Sequence, residues 1–171
     1  ISSDYQNLLV GGIDDLDVYA MTGTARSGAS GRLSYFLGLQ GPSMVIDSDR
    51  SSSLVAVDLA CRSLWSEQCT LAVAGASNLV LTAEPTAGFS NSGMLSPDGR
   101  CKFLSSQANG FVRSDGVGVV VLKPLAAAQA DHDPIYAVIL SSEVNNDGRT
   151  SANFMATSKR AQQTLLRRAI S

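Results

Sequence analysis

The sequence predicts a layered α/β fold with a sheet covered on both faces. Two observations carry that prediction. Apolar runs without alternating polar residues recur at 70–74 (TLAVA), 117–122 (VGVVVL) and 135–140, as expected of strands buried on each side. Segments of helical period lie between and around them, at 26–37, 52–66, 125–130 and 159–170.

The elements follow in order. The segment 26–37 (RSGASGRLSYFL) places small residues on one side and Leu33, Phe36 and Leu37 on another, and Gly38 is its stop. Gly41-Pro42 punctuates, and Met44-Val45-Ile46 reads as a short buried strand. Leu54, Val55, Ala56, Leu59, Ala60 and Leu64 recur at near-helical spacing after the Ser51-Ser52-Ser53 run. The strand 70–74 ends at Gly75. Pro85, Pro97-Asp98-Gly99 and Asn109-Gly110 mark 82–115 as loop and short turns. The strand 117–122 is closed by Pro124, and alanine-rich 125–130 makes a short helix. The strand 135–140 and an amphipathic helix over 159–170 complete the chain. No repeat, low-complexity tract or linker divides it, so 1–171 reads as one partial domain, truncated at both ends: Ile1 is no start residue and Ser171 follows a helix pattern directly.

Composition narrows the function classes. A hydrophobic share of 44% against 16% charged is that of a chain able to build a core. A net charge of −2 without a basic block argues against nucleic-acid binding through phosphate neutralisation, while leaving room for a small basic patch. No apolar run is long enough to cross a bilayer, and the first residues lack the regions of a signal peptide. Cys61, Cys69 and Cys101 are odd in number and lack Cys-x-x-Cys spacing, so they indicate neither a disulfide framework nor a zinc site, and a cytoplasmic setting is expected. All three read as structural thiols. His132, the single histidine, sits in a polar turn and reads as solvated. No Rossmann or phosphate-loop glycine pattern and no Gly-x-Ser-x-Gly elbow occurs.

The most informative stretch runs from Gly41 to Ala56 (GPSMVIDSDRSSSLVA). Its pattern is a buried strand, a tight turn and a helix start crowded with hydroxyls. Such a turn presents one side chain at a helix N-terminus, where backbone N–H groups favour an anion. Enzymes use that geometry to lower a cysteine pKa and to hold an oxyanion. The simpler reading of the stretch by itself is a capped helix, with Ser51, Ser52 or Ser53 accepting backbone hydrogen bonds.

The stretch resembles the active-site segment of β-ketoacyl synthases, Asp-Thr-Ala-Cys-Ser-Ser-Ser-Leu. Further blocks are similar to the same family in the same order. Gly31-Arg32-Leu33-Ser34-Tyr35 with Gly38 and Gly41-Pro42-Ser43 come before the motif. Leu95 to Lys102 (LSPDGRCK), Gly116 to Lys123 (GVGVVVLK) and Val144 to Arg149 (VNNDGR) come after it. The wording is nearest to ketosynthases of modular polyketide synthases. This resemblance implies a thiolase-like fold with αβαβα layers, of which the chain covers mainly the N-terminal half. It implies an acyltransferase that performs a decarboxylative Claisen condensation. A cysteine takes an acyl chain from the phosphopantetheine arm of an acyl carrier protein, and two histidines then help decarboxylate a malonyl-type extender. No cofactor is bound directly. The implied partners are the acyl carrier protein, an acyl thioester substrate and a second copy in a homodimer, with the strand ending near Ile46 close to the two-fold axis; no nucleic acid or membrane is involved.

Carried across residue by residue, Asp47 matches the motif's Asp, Ser48 replaces Thr and Asp49 replaces Ala. Arg50 stands at the nucleophile position, where Cys is expected, and Ser51, Ser52 and Ser53 match. A guanidinium stays protonated and offers no lone pair for attack. It also sets a cation at the positive end of a helix, which Asp49 offsets if the two pair. Ser51 does not replace the thiol, because one helical residue turns its side chain by about 100°. Asn109 stands where Asp is common and Asp115 where Glu is common. The family's two histidine blocks lie further toward the C-terminus than Ser171. The expectation is therefore a ketosynthase piece that does not condense; the alternative is a pseudo-ketosynthase serving a structural or dimerisation role.

Overall fold

The computed structural model describes Leu8, residues 17–149 and residues 156–170. Contacts divide the chain into two compact units, Ile1–Asp47 with Ala76–Gly118 and Ser48–Gly75 with Val119–Ser171.

Six helices and two strands are present among the described residues. They are α1 (Val18–Thr24), α2 (Ser27–Leu37), α3 (Ser52–Trp65), β1 (Ala72–Asn78), α4 (Glu84–Asn91), β2 (Gly116–Leu122), α5 (Leu125–Ala130) and α6 (Lys159–Ile170). β1 and β2 pair in a two-stranded sheet, and the boundary between the units crosses both strands.

In the first unit, α1 starts where the Asp17 carboxylate accepts from the Ala20 N–H at 2.7 Å. α2 ends as the glycine pattern predicts: Gly38 takes φ 67°, and the Leu39 N–H reaches back to the Ser34 carbonyl at 2.8 Å. α4 departs from expectation, since Pro85 and Gly88 mark this segment as loop in the sequence. Pro85 falls in the first turn of α4, where the missing N–H costs no helical hydrogen bond.

In the second unit, α3 sets Asp58 and Cys61 inward and leaves Leu54 and Trp65 exposed. Buried Asp58 binds Arg62 Nε at 2.7 Å and accepts from the Ser142 hydroxyl at 2.8 Å. The Lys123 ammonium clasps Asp131 and Asp133, closing the turn after α5 that carries His132 at φ 57°. α6 turns Ala161, Leu165 and Ala169 inward at four-residue spacing. Ala161 and Ala169 each accept a side-chain hydrogen bond through their carbonyls, from Asn145 and Ser141.

Three strand expectations need correction. Residues 44–46 form no strand, so no strand end lies at Ile46. Residues 135–140 are likewise irregular, and β1 runs over Ala72–Asn78, past Gly75. Apolar runs become strands only where a neighbouring backbone completes the ladder, and no described neighbour does so at 44–46 or 135–140. The expected burial on both faces also fails. β2 is exposed along nearly its whole length, with Val117 at 79% and Val119 at 61%, and no described element covers it. The buried apolar residues described are Cys61, Ala74 and Ala128. No helix among the described residues is long and apolar enough to cross a membrane, and none of their acidic, cysteine or histidine side chains cluster as metal ligands.

Candidate active site

The turn before α3 is built from short local hydrogen bonds. The Ser48 N–H donates to the Ser52 hydroxyl at 2.9 Å, and that hydroxyl donates to the Asp49 carbonyl at 2.6 Å. The Ser51 hydroxyl donates to the Ser48 carbonyl at 2.8 Å and meets the Ser48 hydroxyl at 3.0 Å. Asp49 takes φ 56°, a left-handed conformation that Asp tolerates better than most residues, and this sharpens the turn so that Ser48 and Arg50 form an isolated bridge.

Ser51 occupies the N-cap position, but its side chain makes no capping hydrogen bond. The simple capped-helix expectation is thus corrected. The serines tie the turn to itself, because Ser51 donates backwards and Ser52 accepts the N–H of Ser48 rather than one within the helix. Ser53 is exposed beside them.

Arg50 and Asp49 pair at 3.0 Å, with half of the Arg50 side chain exposed. The pair lies on the surface, where such contacts contribute about 0–1 kcal/mol. Asp47 belongs to the first unit, and there its carboxylate holds Arg26 at 3.1 Å. That contact spans twenty-one positions, and no local pattern announced it.

The thiols fall where chemistry is weak. Cys61 is buried on α3, and burial together with the Asp58 carboxylate pushes its pKa up, away from the thiolate. Cys69 is half-buried. Cys101 is exposed, and its sulfur accepts from the Val112 N–H at 3.2 Å. None forms a disulfide among the described residues.

A second polar cluster, in the first unit, was not anticipated as a cluster. Lys102 Nζ binds Asp98 at 2.7 Å and the Asn109 side-chain oxygen at 2.8 Å. The Ser96 hydroxyl, nearly buried, bonds both Asp98 and Asn109. Lys102 and Ser96 hold the Asp98 carboxyl down to about 2. The four-residue spacing of Asp98 and Lys102 was the available signal. Nearby, Leu95 and Phe111 form a bridge, Phe89 and Phe111 pack edge to face at 5.4 Å, and Arg113 lies over Phe89 while bonding Thr86 at 2.5 Å. Thr86, Leu95, Ser96, Phe111 and Arg113 border an open cleft of about 330 Å³ between Val80 and Asp115.

Comparison with known proteins bears on these features. Residues 2–128 match the family model described as the β-ketoacyl synthase N-terminal domain. A phenolphthiocerol/phthiocerol polyketide synthase of Mycobacterium tuberculosis is 46% identical over 167 residues, which is 98% of this chain and 9% of that protein. Polyketide synthase GfsA of Streptomyces halstedii is 51% identical over 153 residues, 90% of this chain and 2% of that one. Among solved structures, the ketosynthase from module 6 of the bacillaene synthase of Bacillus subtilis 168 superposes with a TM-score of 0.81 at 40% identity, covering 90% of this chain and 28% of that chain. A ketosynthase domain for oxazolomycin from Streptomyces albus gives 0.81 at 37% identity, covering 86% and 26%. The chain therefore spans less than a tenth of these curated relatives and about a quarter of these solved domains.

Proposed function

The chain belongs to the β-ketoacyl synthase family, with the thiolase-like fold of its ketosynthase neighbours, and from that premise we propose that it is a segment of a polyketide ketosynthase that, with Arg50 in place, does not condense. The parent reaction is the decarboxylative Claisen condensation. An acyl chain passes from a carrier protein's phosphopantetheine arm to a cysteine, and a malonyl-type extender then loses CO₂ and attacks that thioester. The parent works as a homodimer with its carrier domains.

Arg50 is the observation that carries the second half of the reading. Covalent catalysis needs an electron pair at the acyl carbon, and a guanidinium engaged with Asp49 has none to give. Among the described residues no base meets Ser51, whose hydroxyl is directed to the Ser48 carbonyl and hydroxyl.

The test is incubation with an acyl thioester followed by intact mass. The chain is expected to gain no mass, and Arg50→Cys to gain one acyl group, its thiol placed at a helix N-terminus that lowers its pKa. A stable adduct on residues 50–54 of the unaltered chain sinks the proposal, and so does an Arg50→Cys variant that stays unacylated. A structural, pseudo-ketosynthase role is the second reading. It is favoured by the way Asp49 pairs with Arg50 while the serine bonds of the turn stay intact.

A further inference from the structure

The chain has a single Asn-Gly pair, Asn109-Gly110, and it lies in the polar cluster of the first unit. The Asn109 side chain is exposed to water, and its oxygen meets Lys102 Nζ at 2.8 Å and the Ser96 hydroxyl at 3.2 Å. An ammonium carries donors alone, so the amide atom that faces Lys102 is the oxygen. Ser96 has one proton to give and lies nearer to Asp98, at 2.6 Å, so Lys102 is the donor that counts. Asp98 holds the same ammonium at 2.7 Å and keeps it in place.

The following residue completes the arrangement. Gly110, at φ 144°, has no side chain to shield its nitrogen, and its N–H donates to no acceptor among the described residues. The Asn109 backbone makes no hydrogen bond among them either, so turning Asn109 toward Gly110 breaks none in the main chain. Phe111 is the fixed point: its N–H bonds the Met94 carbonyl, and its carbonyl accepts from the Ser96 N–H.

We propose that Asn109 deamidates in the folded chain, with Lys102 stabilising the oxyanion through which the reaction passes. The Gly110 nitrogen gives its proton to hydroxide and attacks Asn109 Cγ. As the N–Cγ bond forms, the carbonyl electron pair collects on Oδ1 beside the Lys102 ammonium. Its return expels the side-chain nitrogen, which takes a proton from water and leaves as ammonia. Water then opens the cyclic imide: attack at Cγ gives Asp, and attack at the main-chain carbonyl gives isoaspartate. The net change replaces NH₂ by OH, with no oxidation or reduction. Lys102 then bridges two carboxylates, and its neutral contact at 109 becomes a charge-assisted one.

The test is peptide mapping by mass spectrometry of the chain held in mildly alkaline buffer, with and without urea. Asn109 is expected to convert faster than any other asparagine. Lys102→Met is expected to slow conversion at least about threefold in native buffer, while the two rates in urea stay within about twofold. Lys102→Arg, which keeps a cation and its N–H donors, is expected to retain the parent's rate. Far-UV circular dichroism checks that both variants keep their helices. An Asn109 that stays intact overturns the proposal. So does a Lys102→Met variant that converts as fast as the parent in native buffer, or a Lys102→Arg variant slowed as much as Lys102→Met. Equal slowing of Lys102→Met in urea also overturns it, because the folded contact would then play no part.

Discussion

The serine bonds that shape the turn at 48–52 join residues three or four positions apart. The loop at 94–115 is held from a distance. Phe111 bonds Met94 and Ser96 through its backbone, Arg113 reaches Thr86, and the Asp115 carboxylate takes the Val80 N–H thirty-five positions away. Both segments carry blocks by which the chain resembles its family, yet they differ in what a substitution does to them. The turn that carries Arg50 satisfies itself locally through its serine bonds. A loop closed by remote partners depends on each partner being in place.

The largest effect that this difference predicts is at Gly110. Its φ of 144° is open to glycine, and a Cβ there would overlap the Ser96 nitrogen and the Leu95 carbonyl. Gly110→Ala is expected to cost at least about 2 kcal/mol, read as a lower thermal midpoint together with loss of Phe111 protection in hydrogen exchange. A midpoint equal to the parent's would show that the loop is not closed at this point.

Next is the Asp98 carboxyl. Its folded pKa of about 2 lies below the ordinary value near 3.9, so the native state is favoured above about pH 4 and loses that contribution as pH falls through 2. In Lys102→Met the carboxyl is expected to titrate nearer its ordinary value, measured by carbon-13 NMR. An unmoved titration would assign the depression to Ser96 instead.

The smallest effect belongs to the turn. Arg50→Ala removes a cation from the positive end of α3 and an exposed pair with Asp49, so stability should change by less than about 1 kcal/mol in urea melts. A loss comparable to that of Gly110→Ala would erase the distinction between the two regions.

How much the sequence disclosed follows the same line between local and remote. The helix ending at Gly38, the helix over 159–170 and the strand near 117–122 were readable, because each rests on a local signal: a glycine stop, an amphipathic period, and an unbroken apolar run closed by Pro124. α4 was hidden by a proline whose meaning depends on which helical position it occupies. The runs at 44–46 and 135–140 have strand composition, but a strand is completed by a neighbour that composition does not supply. At the site, the Asp49–Arg50 pair was foreseen from adjacency. The Arg26–Asp47 pair and the Ser96–Asn109 contact were not, since each joins residues that only the fold brings together.

The bond from Ser142 to the buried Asp58 carboxylate spans 84 positions. At a synthesis rate of about 5–20 residues per second, its donor leaves the ribosome roughly 4 to 17 seconds after its acceptor. Through that interval α3 has an inward-facing acid with Arg62 as its nearest partner, on a helix whose apolar face waits for later segments. The nascent chain therefore passes through a period in which chaperones have something to hold.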